Sequence, residues 1–326
     1  MIIALSGGVG GAKLALGLAR IMPPENLLVV VNTGDDFEHL GLSISPDIDT
    51  VTYTLAGLAN RDLGWGRQDE TWSFMETLEA LGGETWFRLG DRDVALHVER
   101  TRRLKAGESL SQVTDDLCRR MGVGPRVIPM TDDPVRTRLL TDQGWLDFQD
   151  YFVRRKCEPV VSEVRFQGAG GARPHPDFMA ALADPALEAV VICPSNPFIS
   201  VEPILAIPGV RQALVECAAP IIGVSPIIAG KAVKGPTAKM MTELGMNPSA
   251  GTVAKRYAEL LDGYVIDHRD MSQVVSIDAK VLLAQTLMTT MEDREALAKI
   301  VLQAADVLKR RKVNTRLRHK TAGEGR

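Results

Sequence analysis

Four glycines and a lysine near the start of the chain have the types and spacing of a phosphate-binding loop. They separate the apolar run 2–6 from an Ala- and Leu-rich helical pattern and are Gly7, Gly8, Gly10, Gly11 and Lys13. Glycines let backbone N–H groups face an anion, and the positive end of the helix dipole adds attraction. The segment predicts a strand, a phosphate-binding loop and a helix, with Lys13 neutralising a phosphate. A glycine-rich turn that only packs a helix on a strand is the alternative.

Neither standard phosphate-loop pattern fits this chain. A dinucleotide fingerprint needs a third glycine where Lys13 stands. A P-loop needs Ser or Thr after Gly-Lys, but the dipeptide Gly230-Lys231 is followed by Ala232. The sequence therefore predicts a phosphate site of another kind.

Carboxylates cluster in the loops that follow the glycine segment. Asp35 and Asp36 follow the second apolar run, and Asp47 and Asp49 stand a few residues further on. Carboxylates and phosphates repel each other unless a divalent cation lies between them, and magnesium prefers hard oxygen ligands. We expect Asp36, Asp47 and Asp49 to be the catalytic carboxylates and the Mg²⁺ ligands. Asp35 is expected to contact the bound ligand, for example a ribose hydroxyl. Any one of these acidic residues, taken alone, could simply be a solvated residue of a surface loop.

The elements that must position these residues read as an α/β fold with a Rossmann-like parallel sheet and helices on both faces. The first forty residues predict strand, loop, helix, strand and acidic loop, and strand-like runs recur at 189–193, 220–224 and 264–267. We assign residues 1–60 and 165–310 to a nucleotide-binding core. Residues 61–164, with amphipathic helices at 69–81 and 109–121 and a hairpin at 137–153, are predicted to be an inserted, lid-like subdomain.

Composition narrows the function classes. The net charge of −3 argues against a general nucleic-acid binder, and residues 311–326 form a basic, solvated, flexible tail in this interpretation. The four cysteines show no Cys-x-x-Cys pair, which fits a reduced compartment. No apolar run reaches the length of a membrane span, and no signal peptide is recognisable. We expect a cytoplasmic protein that contacts neither membrane nor nucleic acid.

Seven ordered motifs, spread from the first strand to about residue 270, resemble the 2-phospho-L-lactate transferase family. They are Gly-Gly-Val-Gly-Gly-Ala-Lys (7–13), Asn-Thr-Gly-Asp-Asp (32–36), Ile-Ser-Pro-Asp-Ile-Asp-Thr (44–50), Gly-Arg-Gln-Asp-Glu-Thr-Trp (66–72), Leu-Gly-Asp-Arg-Asp (89–93), Pro-Ser-Asn-Pro (194–197) and Val-Ser-Pro-Ile (224–227). The resemblance implies a magnesium-dependent, dimeric enzyme of coenzyme F-420 biosynthesis. It would move a phospholactyl-type group from a guanosine diphosphate conjugate to the riboflavin-like deazaflavin alcohol FO and release GMP.

The resemblance also implies roles for residues. The glycine loop with Lys13 would hold the diphosphate, and the acidic loops would hold the metal. Ser195, Asn196 and Ser225 follow core strands and are candidates for contacts to guanine or to the FO ring, although turn-forming roles explain them equally well.

The sequence gives weaker signals for the side chains that would cover the FO ring and for a catalytic general base. Trp65, Trp72 or Phe148 could cover the flat ring, although such aromatics also serve as core. His97 follows Asp93 by four residues, so the two share a helix face if a helix begins there. A general base is conceivable, and a structural histidine is the other interpretation.

Two other function classes stay open. A non-catalytic nucleotide or nucleotide-sugar regulator can share the glycine loop, because fold alone does not set function. The segments 69–72 and 90–93 favour the transferase over that regulator. A nicotinamide oxidoreductase is disfavoured by Lys13. Phospholactate, phosphoenolpyruvate and 3-phosphoglycerate donors differ by too few atoms for the sequence to separate them.

Overall fold

The computed structural model describes residues 1–60 and 65–323, which fold around a parallel β-sheet. The described strands are β1 Ile2–Ser6, β2 Leu27–Val31, β3 Phe37–His39, β4 Leu42–Ile44, β5 Arg126–Pro129, β6 Arg136–Thr141, β7 Gly144–Asp147, β8 Val161–Gln167, β9 Ala189–Ile192, β10 Ile221–Val224, β11 Ile227–Ile228, β12 Lys231–Ala232, β13 Gly263–Asp267 and β14 Lys280–Ala284. The described α-helices are α1 Gly8–Ile21, α2 Pro46–Leu55, α3 Ser73–Ala80, α4 Asp91–Lys105, α5 Leu110–Arg120, α6 Pro176–Ala183, α7 Glu202–Leu205, α8 Val210–Glu216, α9 Thr237–Glu243, α10 Ala250–Arg256 and α11 Met291–Gly323.

Seven strands form the central sheet in the order β14-β13-β10-β9-β1-β2-β5, and every neighbouring pair is parallel. Side chains of β1 alternate between two buried clusters: Ile3 and Leu5 face one, and Ile2 and Ala4 face the other. Helices α1, α2 and α11 cover the second face, and α6 to α10 cover the first. The expected α/β sheet with helices on both faces is confirmed.

The strands predicted from apolar runs are confirmed, but two strands of the sheet escaped prediction. β14 (280–284) begins with a lysine and is only partly buried, so its apolar signal is short. β5 (126–129) lies inside the segment 61–164, yet it pairs with β2 at the edge of the central sheet. The segment assigned to the insertion thus contributes one strand to the central sheet, which a four-residue edge strand with little periodicity did not reveal. The domain bounds themselves stay a prediction.

The segment assigned to the insertion also packs into the core. Its hairpin β6–β7 pairs with β8 in a three-stranded antiparallel sheet, and Leu139 and Phe148 join the same buried cluster as Ile3. The helix predicted over 109–121 is observed as α5, with Ser109 and Gln112 forming a capping box. The helix predicted over 69–81 is shorter and spans α3.

The last helix reaches nearly to the end of the chain. Helix α11 continues through residue 323, into the segment expected to be a flexible tail, and that flexibility stays a prediction. Residues 61–64, where the insertion was expected to begin, and residues 324–326 lie outside the described residues. Among the described residues no single helix has the length and apolarity of a membrane span, although the bent pair Pro197–Leu205 and Val210–Glu216 meets that test together.

Candidate active site

A cavity of about 570 Å³ opens at the carboxyl edge of the central sheet. Loops that follow β1, β2, β9, β10 and β14 line it, with Gly8, Asp35, Ser195, Ser225 and Thr286 as examples. This is the edge at which open α/β sheets bind ligands. The volume lies in the range of small-molecule sites.

The glycine segment, predicted as a loop before the helix, is instead the start of α1, which has Gly7 at its N-cap and begins at Gly8. Gly8 has a φ of +64°, in the left-handed region that a side chain disfavours. A Cβ on Gly10 would lie 2.3 Å from the carbonyl oxygen of Pro194, so this glycine is needed for close backbone approach. The N-terminus of α1 has neither a side-chain cap nor an acidic residue in its first turn. The N–H of Gly8 bonds to Asp47, and the positive end of the helix dipole suits an anion.

Ser195 fixes the loop in place. Its hydroxyl donates to the carbonyl of Gly7 at 2.8 Å and accepts from the N–H of Gly7 at 3.2 Å. A Cβ on Gly11 would lie 2.6 Å from the same hydroxyl oxygen. Ser195 thus lines the cavity and also holds the phosphate loop, a role its sequence position did not reveal.

Lys13 lines the cavity, but its ammonium is engaged. Nζ donates to the carbonyl of Met288 at 2.9 Å. Burial, and after it the positive charges of Arg294 and Lys234, lowers the pKa of Lys13. An anion near this ammonium would relieve the repulsion among the three cations.

Asp35, in the loop after β2, and Asp47, in the first turn of α2, are buried carboxylates of the cavity wall. Burial raises the pKa of Asp47 to about 6, although hydrogen bonds from Asn32 and from the N–H of Gly8 partly lower it. Burial, and then the charges of Asp47 and Asp36, raises the pKa of Asp35 well above its ordinary value. Within the described residues, Asp35 Oδ1 has no hydrogen-bond partner. The two carboxylates therefore repel each other and leave an oxygen unsatisfied.

Asp36 lies behind this wall and does not line the cavity. Its Oδ2 accepts from the Ser45 hydroxyl at 2.7 Å, and burial raises its pKa to about 7. The structure thus places Asp36 apart from the cavity; its Oδ1, like that of Asp35, has no hydrogen-bond partner among the described residues.

Asp49 is held by a buried guanidinium. Both of its oxygens accept from Arg100, a residue that is 1% exposed. Arg100 Nη1 also lies 3.3 Å from His97 Nδ1. The arginine already neutralises Asp49, so a cation would have to compete with it for the carboxylate.

His97 and Asp93 share one face of α4, as predicted from their spacing. His97 Nε2 lies 3.3 Å from Asp93 Oδ2, and Asp93 Oδ1 accepts from the Tyr53 hydroxyl at 2.6 Å. The described part of the chain contains one cluster of three potential metal ligands from His, Cys, Asp or Glu whose ligand atoms all lie within 4.8 Å of one another. It consists of Asp49, Asp93 and His97. Because Arg100 occupies Asp49, this cluster is better suited to hydrogen bonding than to a metal.

Asn196 and Ser225 line the cavity, but each also stabilises a turn. Asn196 Oδ1 accepts from the N–H of Phe198, and its amide nitrogen lies 3.9 Å from the sulfur of Met240. Ser225 Oγ donates to the carbonyl of Ile227 and accepts from its N–H. The turn interpretation is thus observed for both residues, and ligand contact stays a prediction.

Aromatic rings cover much of the remaining wall. They are Trp65, Trp86, Phe87, Phe148 and Phe152. Phe148 and Phe152 stack with ring centroids 5.3 Å apart. Trp72 does not line the cavity; Arg88 lies over its ring at 4.3 Å. Trp65 and Phe148 therefore line the cavity, as a role in covering the ring requires, and Trp72 does not.

Sequence reasoning missed Asn32 and Arg100. Asn32 is fully buried and donates to Asp47 Oδ2 at 2.9 Å, and its position directly after an apolar strand was the available signal. Arg100 stands three residues after His97 and seven after Asp93, which is the spacing of one helix face. An arginine in a charged helix gives no sign of burial by itself.

Fold and site together define an α/β protein with a ligand-sized cavity at the carboxyl edge of a parallel sheet. Residues 2–306 match the family model 2-phospho-L-lactate transferase CofD. The chain belongs to this family and is a transferase, as the resemblance implied.

Relatives agree with this assignment. The chain is 41% identical over 310 residues to a phosphoenolpyruvate transferase of Kitasatospora aureofaciens, covering 93% of this chain and 96% of the relative. It is 38% identical over 307 residues to a 2-phospho-L-lactate transferase of Methanocaldococcus jannaschii, covering 93% and 97%. A crystal structure of a UPF0052 family member from Bacillus halodurans has a TM-score of 0.62 at 13% identity, covering 92% and 98%. That likeness concerns the fold alone.

Proposed function

We propose that this transferase moves a phospholactyl or phosphoenolpyruvyl group from a guanosine diphosphate conjugate to the terminal hydroxyl of FO. The hydroxyl oxygen would bond to the phosphorus nearer the acid group, the bond from that phosphorus to the GMP phosphate would break, and the hydroxyl proton would be released. The product is the phosphodiester core of coenzyme F-420. The observation that carries the proposal is the presence, in one cavity, of a glycine loop, paired carboxylates and aromatic walls.

The anionic end of the donor fits the glycine loop. The first-turn N–H groups of α1 and the ammonium of Lys13 are the positive groups at this end. Neutralising the diphosphate and aligning it with the acceptor hydroxyl supply most of the catalysis in such transfers. Lys13 would exchange its bond to Met288 for a phosphate oxygen.

Asp35 and Asp47 fit a magnesium ion better than the trio expected from sequence. Both line the cavity, they repel each other, and Asp35 Oδ1 has no hydrogen-bond partner among the described residues. Asp36 lies outside the wall and Asp49 is paired with Arg100. When bound, Mg²⁺ would neutralise the diphosphate charge that these carboxylates otherwise repel. The homodimer and cytoplasmic location implied at sequence level stay predictions.

The direct test is product formation. Purified protein, FO and Mg²⁺ are incubated with the guanylylated form of phospholactate, phosphoenolpyruvate or 3-phosphoglycerate, and products are identified by mass spectrometry. We expect one donor to give the corresponding FO phosphodiester together with GMP. Absence of an FO phosphodiester with all three donors would overturn the proposal.

A variant of Lys13 tests the donor end separately. We expect Lys13→Ala to weaken GDP binding about tenfold or more, because it removes a charge-assisted contact, and to change FO binding less than twofold. Isothermal titration with each ligand makes the comparison. Arg20→Ala, at the exposed far end of the same helix, is the matched control. Equal losses for GDP and FO would remove Lys13 from the phosphate site.

A further inference from the structure

Strand β14 forms one edge of the central sheet. It pairs with β13, and no strand of the described residues lies along its other side. The N–H of Lys280 donates to the carbonyl of Asp262, on the β13 side. Because successive residues of a strand direct their backbone groups to opposite sides, Leu282 also faces β13, whereas Val281 and Leu283 direct their N–H and C=O groups outward. The outer edge therefore presents both donors and acceptors.

The composition of β14 suits this edge to pairing. Edge strands are usually protected by proline, by charged side chains or by a cover of other elements. At the opposite edge, β5 contains Pro129, and its Val127 is 2% exposed. An edge of the three-stranded sheet, β8, carries Glu163 and Arg165. In β14 the only charged residue is the first, Lys280, and the sequence continues Val-Leu-Leu-Ala. The strand can therefore accept a further strand.

Exposed apolar side chains flank β14 on both faces of the sheet. The 3-10 helix His268–Ser276 packs against it on one face and exposes Met271 and Val275, the latter at 95%. Helix α11 packs on the other face and exposes Val307. A strand pair alone is smaller than a stable protein interface, and these side chains add apolar area to it.

Two copies of β14 complement each other. In an antiparallel pair with a two-fold axis at Leu282, Val281 stands opposite the partner's Leu283. Both residues direct their backbone groups outward, so each such pair exchanges two N–H···O bonds. The same arrangement brings Lys280 to the carboxyl end of the partner strand. At that end Asp293, which accepts from the residue after β14 at 2.8 Å, supplies a negative charge.

We propose that β14 is the surface at which two copies of this chain pair, by antiparallel addition of their edge strands into one continuous sheet. The occupant is a second copy because the edge is self-complementary in backbone groups and in charge. Thr286 and Met288 follow the strand closely and line the cavity, and the carbonyl of Met288 accepts from Lys13. Pairing of β14 therefore restrains the segment that positions Lys13, whatever the substrate is.

Hydrogen exchange resolved to single amides tests the strand pairing directly. The full chain is measured over a dilution series, and sedimentation gives the mass of the particle at each concentration. We expect a dimer in which the amides of Val281 and Leu283 exchange slowly, and fast exchange of both after dilution to the monomer. The amide of Leu282, on the β13 side, is the internal control and stays protected at every concentration.

Two substitutions weaken the pairing by different routes. Leu283→Pro removes an outward N–H from both copies at once, and Val275→Asp places a charge on the exposed apolar flank. We expect each to raise the dimer dissociation constant about tenfold or more. Val98→Asp, at an exposed position of α4, is the matched control and leaves that constant unchanged. If the proline variant does not fold, Val275→Asp, which changes a fully solvated side chain, decides the test.

The outcomes separate this surface from other modes of assembly. A protein that is monomeric at every concentration would overturn the proposal. So would a dimer in which the amides of Val281 and Leu283 exchange as fast as in the monomer, or one that Val275→Asp and Val98→Asp weaken equally. Protection of both amides that depends on concentration and is lost in Val275→Asp supports the proposal.

Discussion

The side-chain amide of Asn32 donates to Asp47 Oδ2 at 2.9 Å and so ties the end of strand β2 to the first turn of helix α2. The same nitrogen donates to the carbonyl of Ile199 at 3.1 Å, and the amide oxygen accepts from the N–H of Gly34 at 2.8 Å. One buried amide therefore connects three segments that surround the glycine loop. The position of the Asp47 carboxylate depends on this connection.

Asn32→Ala is expected to lower both stability and turnover. It leaves buried partners without their hydrogen bonds, which costs about 1–3 kcal/mol of unfolding free energy. Turnover should fall further than stability explains, because Asp47 loses its orientation. Urea unfolding and steady-state kinetics measure the two effects, and Asn247→Ala, at an exposed position, is the control. Full activity in a folded Asn32→Ala protein would contradict the positioning role.

We expect Asp47→Asn to affect magnesium binding and Asp49→Asn to affect stability. The first should weaken magnesium binding at least about tenfold with little change in stability, because it removes a charged ligand and keeps the shape. The second should lower the unfolding free energy by about 3–5 kcal/mol, because it leaves Arg100 buried without a charged partner. Calorimetric Mg²⁺ titration and urea unfolding test the pair. The reverse pattern would return Asp49 to the metal site.

The stability of the metal-free protein should fall as pH rises from about 4 to about 7. Burial raises the pKa of Asp36 from 3.8 to about 7, so in this range the folded state binds more protons than the unfolded state. The unfolding free energy then decreases with increasing pH. Asp36→Asn should flatten that decrease, by at most a few kcal/mol at about 1.36 kcal/mol per pKa unit. Denaturation across pH checks this, with exposed Glu79→Gln as control, and an unchanged slope in Asp36→Asn would refute it.

Ligand binding should protect two acidic segments of the predicted insertion. If this region closes over the substrates, water is kept from the diphosphate and transfer is favoured over hydrolysis. FO plus GDP should slow hydrogen exchange in residues 66–72 and 89–93 and leave β13 nearly unchanged. Unchanged exchange in both acidic segments at saturating ligand would make this region scaffold and not a lid.

Local sequence patterns predicted the parts of this molecule that local chemistry determines. The glycine loop, the strand before it and helix α5 depend on residues within a few positions of one another. The same holds for the Asp93–His97 pair, which needs only a helix to form. The motifs also identified the family, because seven ordered segments carry far more information than any one of them.

The features that could not be predicted from the sequence depend on contacts between residues far apart in the chain. Asp49 carries the same carboxylate as Asp47, and only the distant Arg100 makes it an ion-pair partner instead of a ligand candidate. Strand β5 is short, and its place in the sheet depends on pairing with β2. Such outcomes follow from tertiary packing, which periodicity does not encode.

The clasp between Gly7 and Ser195 joins groups 188 residues apart. During synthesis the glycine loop leaves the ribosome early, yet the serine that holds it, and the Pro194 carbonyl against which Gly10 packs, emerge only after more than half of the chain is made. Strand β1 likewise pairs with β9 only after that later strand has been made. The nascent amino-terminal half therefore carries an unpaired sheet edge until β9 has been synthesised.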